Sequence, residues 1–104
     1  MTSLSTHVLD LERGQPGAAI GVLLEQRRDD GWALVNRAST NHDGRVEDLG
    51  TDLAEGTYRL VFETGATHSF FPEIQVVIAV SADQSHLHVP ILLSRYGYTT
   101  YRGS

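Results

Sequence analysis

Cysteine is absent, and so is lysine: all eight cationic side chains are arginine. Without a thiol there is no disulfide framework, no thiolate metal site and no cysteine nucleophile. The formal net charge is -5, and no stretch concentrates positive charge, which argues against a nucleic-acid or anionic-membrane partner. Long apolar runs are missing too. The longest, at residues 74–80, is broken by Gln75 and is far shorter than a bilayer span. The opening MTSLSTHVLD has neither a basic nor an apolar leader region, so a cytoplasmic protein is expected. Also lacking are a glycine-rich phosphate loop, an HExxH pattern and a nucleophile-elbow serine, which removes the common phosphoryl-transfer, zinc-protease and α/β-hydrolase readings.

What is present reads as strand. Short stretches rich in β-branched and aromatic residues cover residues 5–11, 18–26, 32–38, 57–63, 73–80, 86–94 and 98–101. Between them lie turn clusters at residues 13–17, 29–31, 41–44 and 82–84, rich in Gly, Asn and Asp. Alternation is clearest in GTYRLVFET, where Tyr58, Leu60 and Phe62 share one face and Arg59, Val61 and Glu63 the other. Residues 64–71 break the period and leave room for one short helical turn before Phe71-Pro72 returns the chain to extended geometry. The expectation is a single all-β domain over residues 1–104, a two-sheet antiparallel sandwich of about eight strands.

The stretch HLHVPILLS places Leu87, Val89, Ile91 and Leu93 on one side, and His86, His88 and Pro90 on the other. Pro90 donates no backbone hydrogen bond, which suits a sheet edge or an irregular pairing. A solvated outer face is the plain explanation of two such histidines. His7, among Val8, Leu9 and Leu11, is a third histidine on a regular element, and by itself fits a partly buried strand residue satisfied by a neighbour. Arg45, after the Asp43-Gly44 turn, reads most simply as a surface charge paired with Glu47 or Asp48. Taken together the four suggest more. A histidine with a free pKa near 6.5 exchanges protons with water at neutral pH, whereas arginine keeps its charge and suits an anionic heterocycle or a developing oxyanion. Hydrolysis of an anionic small molecule by activated water is one chemistry this set allows; a three-histidine zinc site is the other.

The segments STHVLDLERGQPG, NHDGR, EGTYRLVFETG, SFFPE, HLHVPILLS and YRGS together resemble the 5-hydroxyisourate hydrolase, or transthyretin-related, family, and the likeness runs nearly end to end. The resemblance implies an eight-stranded sandwich assembled as a homotetramer, a dimer of dimers, with pockets where dimers meet. It implies His7, Arg45 and His88 as the catalytic set, with His86 secondary. Tyr101, Arg102, Gly103 and Ser104 match the signature that borders the substrate pocket. The substrate implied is a purine-derived small molecule, 5-hydroxyisourate, opened by water to 2-oxo-4-hydroxy-4-carboxy-5-ureidoimidazoline with no metal or cofactor. The family carries a short helix between the Thr-Gly and the Phe-Phe-Pro-Glu, where this chain has only a few residues, and Arg95 stands where proline is common. Transthyretin-like carriage of a small molecule and a zinc-binding sandwich are the rival functions.

Overall fold

Residues 2–104 of the computed structural model form nine strands: β1 (Thr2–Asp10), β2 (Gln15–Pro16), β3 (Gly21–Arg28), β4 (Gly31–Ser39), β5 (Arg45–Leu53), β6 (Gly56–Glu63), β7 (Glu73–Val80), β8 (His86–Leu93) and β9 (Tyr98–Thr100). Among these residues no helix is long and apolar enough to cross a membrane. One sheet runs β2-β1-β8-β9, with β5 also on β1; the other runs β4-β3-β6-β7.

The two sheets meet through their alternating apolar positions. Leu4 and Val8 of β1, Leu87, Val89, Ile91 and Leu93 of β8, and Val46, Leu49 and Leu53 of β5 face Val22, Leu24, Tyr58, Leu60, Phe62 and Ile74 of the second sheet, all buried. Each such side chain contributes about 1.5–3 kcal/mol when fully removed from water. The inward face assigned to Tyr58, Leu60 and Phe62, and to the four apolar residues of β8, is the observed one. Buried hydroxyls are paired: Thr6 Oγ1 donates to the Val89 carbonyl at 2.5 Å, and Thr40 Oγ1 donates to Gly17 O at 2.6 Å while accepting from Ile20 N at 2.9 Å.

Three features differ from the sequence expectation. The first sheet is mixed, since β1 and β8 pair in parallel from Ser3↔His86 to Asp10↔Leu93 while the remaining pairings are antiparallel. Side-chain alternation reports which face is buried and carries no direction, so it could not show this. Second, residues 45–53 form a full strand where none was expected. Its sequence, RVEDLGTDL, is rich in residues that strands disfavour, and register shifts opposite Thr2, Leu4 and Thr6 bury Leu49 and Gly50 consecutively, which erases the two-residue period. Third, Gln15–Pro16, read as a turn, adds a two-residue pairing to the end of β1.

The connection after Thr64 holds one turn and no helix: Thr67 N and His68 N both donate to Thr64 O, at 3.2 and 2.9 Å, and Thr64 N bonds Pro72 O at 3.1 Å. Its anchor is His68, buried beside Asp10 at the end of β1, with Nε2 3.7 Å from Asp10 Oδ1 and Nδ1 2.9 Å from Thr67 Oγ1. Arg95 reaches across this end of the sandwich to Glu12, 2.7 Å away.

Candidate active site

On the outer face of the mixed sheet, parity and register collect the chemistry-bearing residues. The buried even-numbered positions of β1 leave Ser3, Ser5 and His7 pointing outward, and the buried odd-numbered positions of β8 do the same for His86 and His88. Parallel pairing puts Ser3 beside His86, Ser5 beside His88 and His7 beside Pro90. On the other flank of β1, Arg45 pairs with His7. Arg45 therefore reaches the site through the unexpected strand β5.

A tight turn aims that arginine. Asn41 Oδ1 accepts from Asp43 N at 2.9 Å and Arg45 N at 3.0 Å, and the Gly44 carbonyl accepts from Val8 N at 2.7 Å, fastening the turn to β1. Gly44 has φ 76°, and a Cβ there would lie 2.4 Å from Val8 O, so both conformation and space require glycine. The same turn presents the Asp43 carbonyl to His7 Nε2 at 3.0 Å. A carbonyl only accepts, so His7 carries its proton on Nε2 and offers the Nδ1 lone pair. His88 Nδ1 is 2.7 Å from Ser5 Oγ, which leaves its Nε2 without a partner among the described residues.

An open depression of about 480 Å³ is lined by Ser5, Thr6, Arg45, Glu47, His86, His88 and Ser104, and His7 stands beside it as the register partner of Arg45. Arg45 makes no ion pair among the described residues, in contrast to the pairing with Glu47 or Asp48 that its sequence position suggested. Both histidines are held below the ordinary histidine pKa. For His7 the causes are burial first and then the charge of Arg45; for His88 they are burial, then Arg45, His7 and His86. Neutral His88 thus shares one depression with a guanidinium that has no ion pair among the described residues, and neutral His7 lies next to that guanidinium in the strand register.

The tail divides. Register with β8 persists from Ile91↔Thr100 to His88↔Gly103, but the ladder lapses opposite Pro90, which has no N–H, and resumes where Gly103 N bonds His88 O at 2.7 Å. That bridge seats Gly103 against the His88 ring, and Ser104 on the depression. Tyr101 and Arg102, expected at the same pocket, instead line a separate slot of about 310 Å³ with Val76, Ile78, Leu87 and Val89. Within one protomer the structure therefore unites His7, Arg45, His88, Gly103 and Ser104, and leaves Tyr101 and Arg102 outside. Ser5 and Glu47 were missed. Ser5 stands two residues before His7 on the same strand face, which was a readable signal; Glu47 belongs to the strand whose period is broken. Among the described residues no group of three or more His, Cys, Asp or Glu side chains is arranged to hold a metal ion.

Residues 4–103 match the family model described as the HIUase/Transthyretin family. A curated relative, the 5-hydroxyisourate hydrolase of Salmonella dublin, is 45% identical over 109 residues, covering 97% of this chain and 80% of the relative. The solved structure of Klebsiella pneumoniae 5-hydroxyisourate hydrolase superposes with a TM-score of 0.88 at 32% identity, covering 100% of both chains. Sea bream transthyretin in complex with thyroxine superposes equally well, with a TM-score of 0.89 at 26% identity over 97% of this chain and 94% of that one. Backbone shape alone does not separate the two kinds of relative.

Proposed function

Because the chain belongs to the HIUase/transthyretin family, we propose that it hydrolyses 5-hydroxyisourate to 2-oxo-4-hydroxy-4-carboxy-5-ureidoimidazoline, in urate degradation, on the outer face of β1, β5 and β8. Relatives named as this hydrolase support the reading. The observation that carries it is a depression that joins His88 to Arg45, which has no ion pair among the described residues, with His7 beside Arg45 in the strand register and both histidines held below the ordinary pKa.

In the mechanism, Arg45 draws in the anionic substrate and offers a planar fork of donors to its oxygens. His88, or His7 through Nδ1, takes a proton from water as the water oxygen bonds the ring carbonyl carbon. Negative charge collects on the carbonyl oxygen beside Arg45. The carbonyl then re-forms as the C–N bond breaks, and the histidine returns a proton to the leaving nitrogen, so the ring opens with one water added. Ser104 lines the depression, and the Gly103 bridge holds the tail against His88. The protein acts as a homotetramer in which a second dimer roofs the depression, excluding water and strengthening the hold of Arg45 on the anion.

The test is to generate 5-hydroxyisourate from urate with urate oxidase and follow its ultraviolet decay. The intact protein is expected to accelerate decay well above buffer, and His88→Asn to lower the rate by about a hundredfold or more, the usual worth of a placed general base. No acceleration by intact protein, with thyroxine-like ligands bound instead, would favour the carrier.

A further inference from the structure

Four side chains on the outer face of β1 and β8 form an unbroken hydrogen-bonded file. Ser3 Oγ lies 2.5 Å from His86 Nδ1, His86 Nε2 lies 2.9 Å from Ser5 Oγ, and Ser5 Oγ lies 2.7 Å from His88 Nδ1. The parallel register accounts for the fit. Outward residues two apart on a strand stand about 6.6 Å from one another, and an imidazole offering a nitrogen at each edge bridges the two serine hydroxyls across that interval. The file begins at Ser3, next to the exposed His86, and ends at His88, which is half-buried on the depression. Holding the strands together is not a sufficient reason for it, because β1 and β8 already pair along eight residues from Ser3↔His86 to Asp10↔Leu93.

We propose that Ser5 and His86 are positioning residues that form a proton relay between His88 and solvent, completed by Ser3; this rests on the hydrolase reading above. The file has two self-consistent states. In one, the Nδ1–H of His88 donates to Ser5, the Ser5 hydroxyl donates to His86 Nε2, and the Nδ1–H of His86 donates to Ser3. His88 Nε2 is then a lone pair, ready to receive a proton from water. In the other, every donor is reversed: Ser3 donates to His86 Nδ1, the Nε2–H of His86 to Ser5, and Ser5 to His88 Nδ1, leaving a proton on His88 Nε2. Passage from the first state to the second takes one proton in at His88 Nε2, shifts one across each of the intervening hydrogen bonds, and releases one from Ser3 to solvent. No net charge remains on any ring, which matters beside Arg45, whose positive charge disfavours an imidazolium at His88. The reverse passage supplies a proton to the leaving nitrogen.

The experiment compares the intact protein with Ser5→Ala, Ser5→Thr and His86→Gln in the 5-hydroxyisourate assay. It adds rates in mixtures of light and heavy water, and nitrogen-15 shifts of the histidine rings in the substrate-free protein. His86 is exposed, so its replacement does not disturb the core. Loss of a partner that sets a ring's tautomer is expected to lower kcat about tenfold or more in Ser5→Ala and His86→Gln while KM stays within about twofold. Ser5→Thr, which keeps the hydroxyl, should recover most of the rate. The dependence on deuterium fraction should be bowed in the intact protein, where several protons move together, and linear in Ser5→Ala. The nitrogen-15 shift of His88 Nδ1 should move in Ser5→Ala and stay in Ser5→Thr. Unchanged kcat and an unchanged deuterium profile in an active protein would overturn the relay, and so would equal losses in Ser5→Ala and Ser5→Thr. Absence of activity in the intact protein would instead overturn the hydrolase reading, and the ring shifts would still report whether the file exists.

Discussion

At the scale of the residue, what distinguishes His7 and His88 is not exposure but the partner each ring nitrogen has. His7 is fixed by the Asp43 carbonyl and His88 by the Ser5 hydroxyl, so each keeps one nitrogen for chemistry. Their lowered pKa values have a consequence for stability with a definite sign. As pH falls through 6.5 the unfolded chain takes up protons that the folded one still refuses, so stability is lost over the interval between 6.5 and the folded pKa. The melting temperature of the intact protein is expected to drop more between pH 7 and pH 5 than that of His88→Asn, as scanning calorimetry would read; parallel curves would refute the contribution. For the same reason the acid limb of kcat/KM should lie below 6.5. Gly103 offers a second test at this scale. A Cβ there would meet His88 Cδ2 at 2.7 Å, so Gly103→Ala should displace the ring or lift the tail, lowering activity about tenfold or more while leaving the melting temperature nearly unchanged. None of these partners was legible in sequence order, since Ser5 and His88 are 83 positions apart and Asp43 and His7 36.

Among the elements, the turn at residues 41–44 and strand β5 decide where the cation goes. NHDGR was readable as a turn because Asn and Asp cap their own backbone and Gly accepts positive φ. The strand that follows was not, because two register shifts spoil its alternation. Gly44→Ala places a Cβ against the Val8 carbonyl in a backbone conformation that alanine resists. It is expected to cost about 1–3 kcal/mol, read as a lowered denaturation midpoint. Activity should fall further than stability explains, since the turn carries both Arg45 and the carbonyl that orients His7. Elsewhere the element reading was sound. The shortened connection after Thr64 does hold a single turn, pinned by His68 where a longer segment would have its own helix. Arg95 is occupied by Glu12 and lines a different depression from His86 and His88.

At the scale of the whole molecule, the depression is open on one side and Tyr101 and Arg102 fall outside it. In the proposed homotetramer, neighbouring copies would lay a second surface over the open side, above His86 and His88. Sedimentation velocity should therefore show a tetramer, and specific activity should decline on dilution into the dissociating range. A monomer of full activity would contradict the assembly.

Alternation along the strands, together with turn chemistry, was enough to determine an all-β sandwich and to say that His86 and His88 face away from the core, because both follow from a two-residue period that any reader of the chain can count. Which residues stand beside them was decided only by tertiary structure. Parallel pairing of β1 with β8 sets the serines between the histidines, the bulged β5 delivers Arg45 to His7, and the lapse at Pro90 separates Tyr101 from Gly103. Strand pairing is a contest among many backbone partners settled by global packing of the core, and local sequence records the face a residue presents without recording the neighbour it will meet.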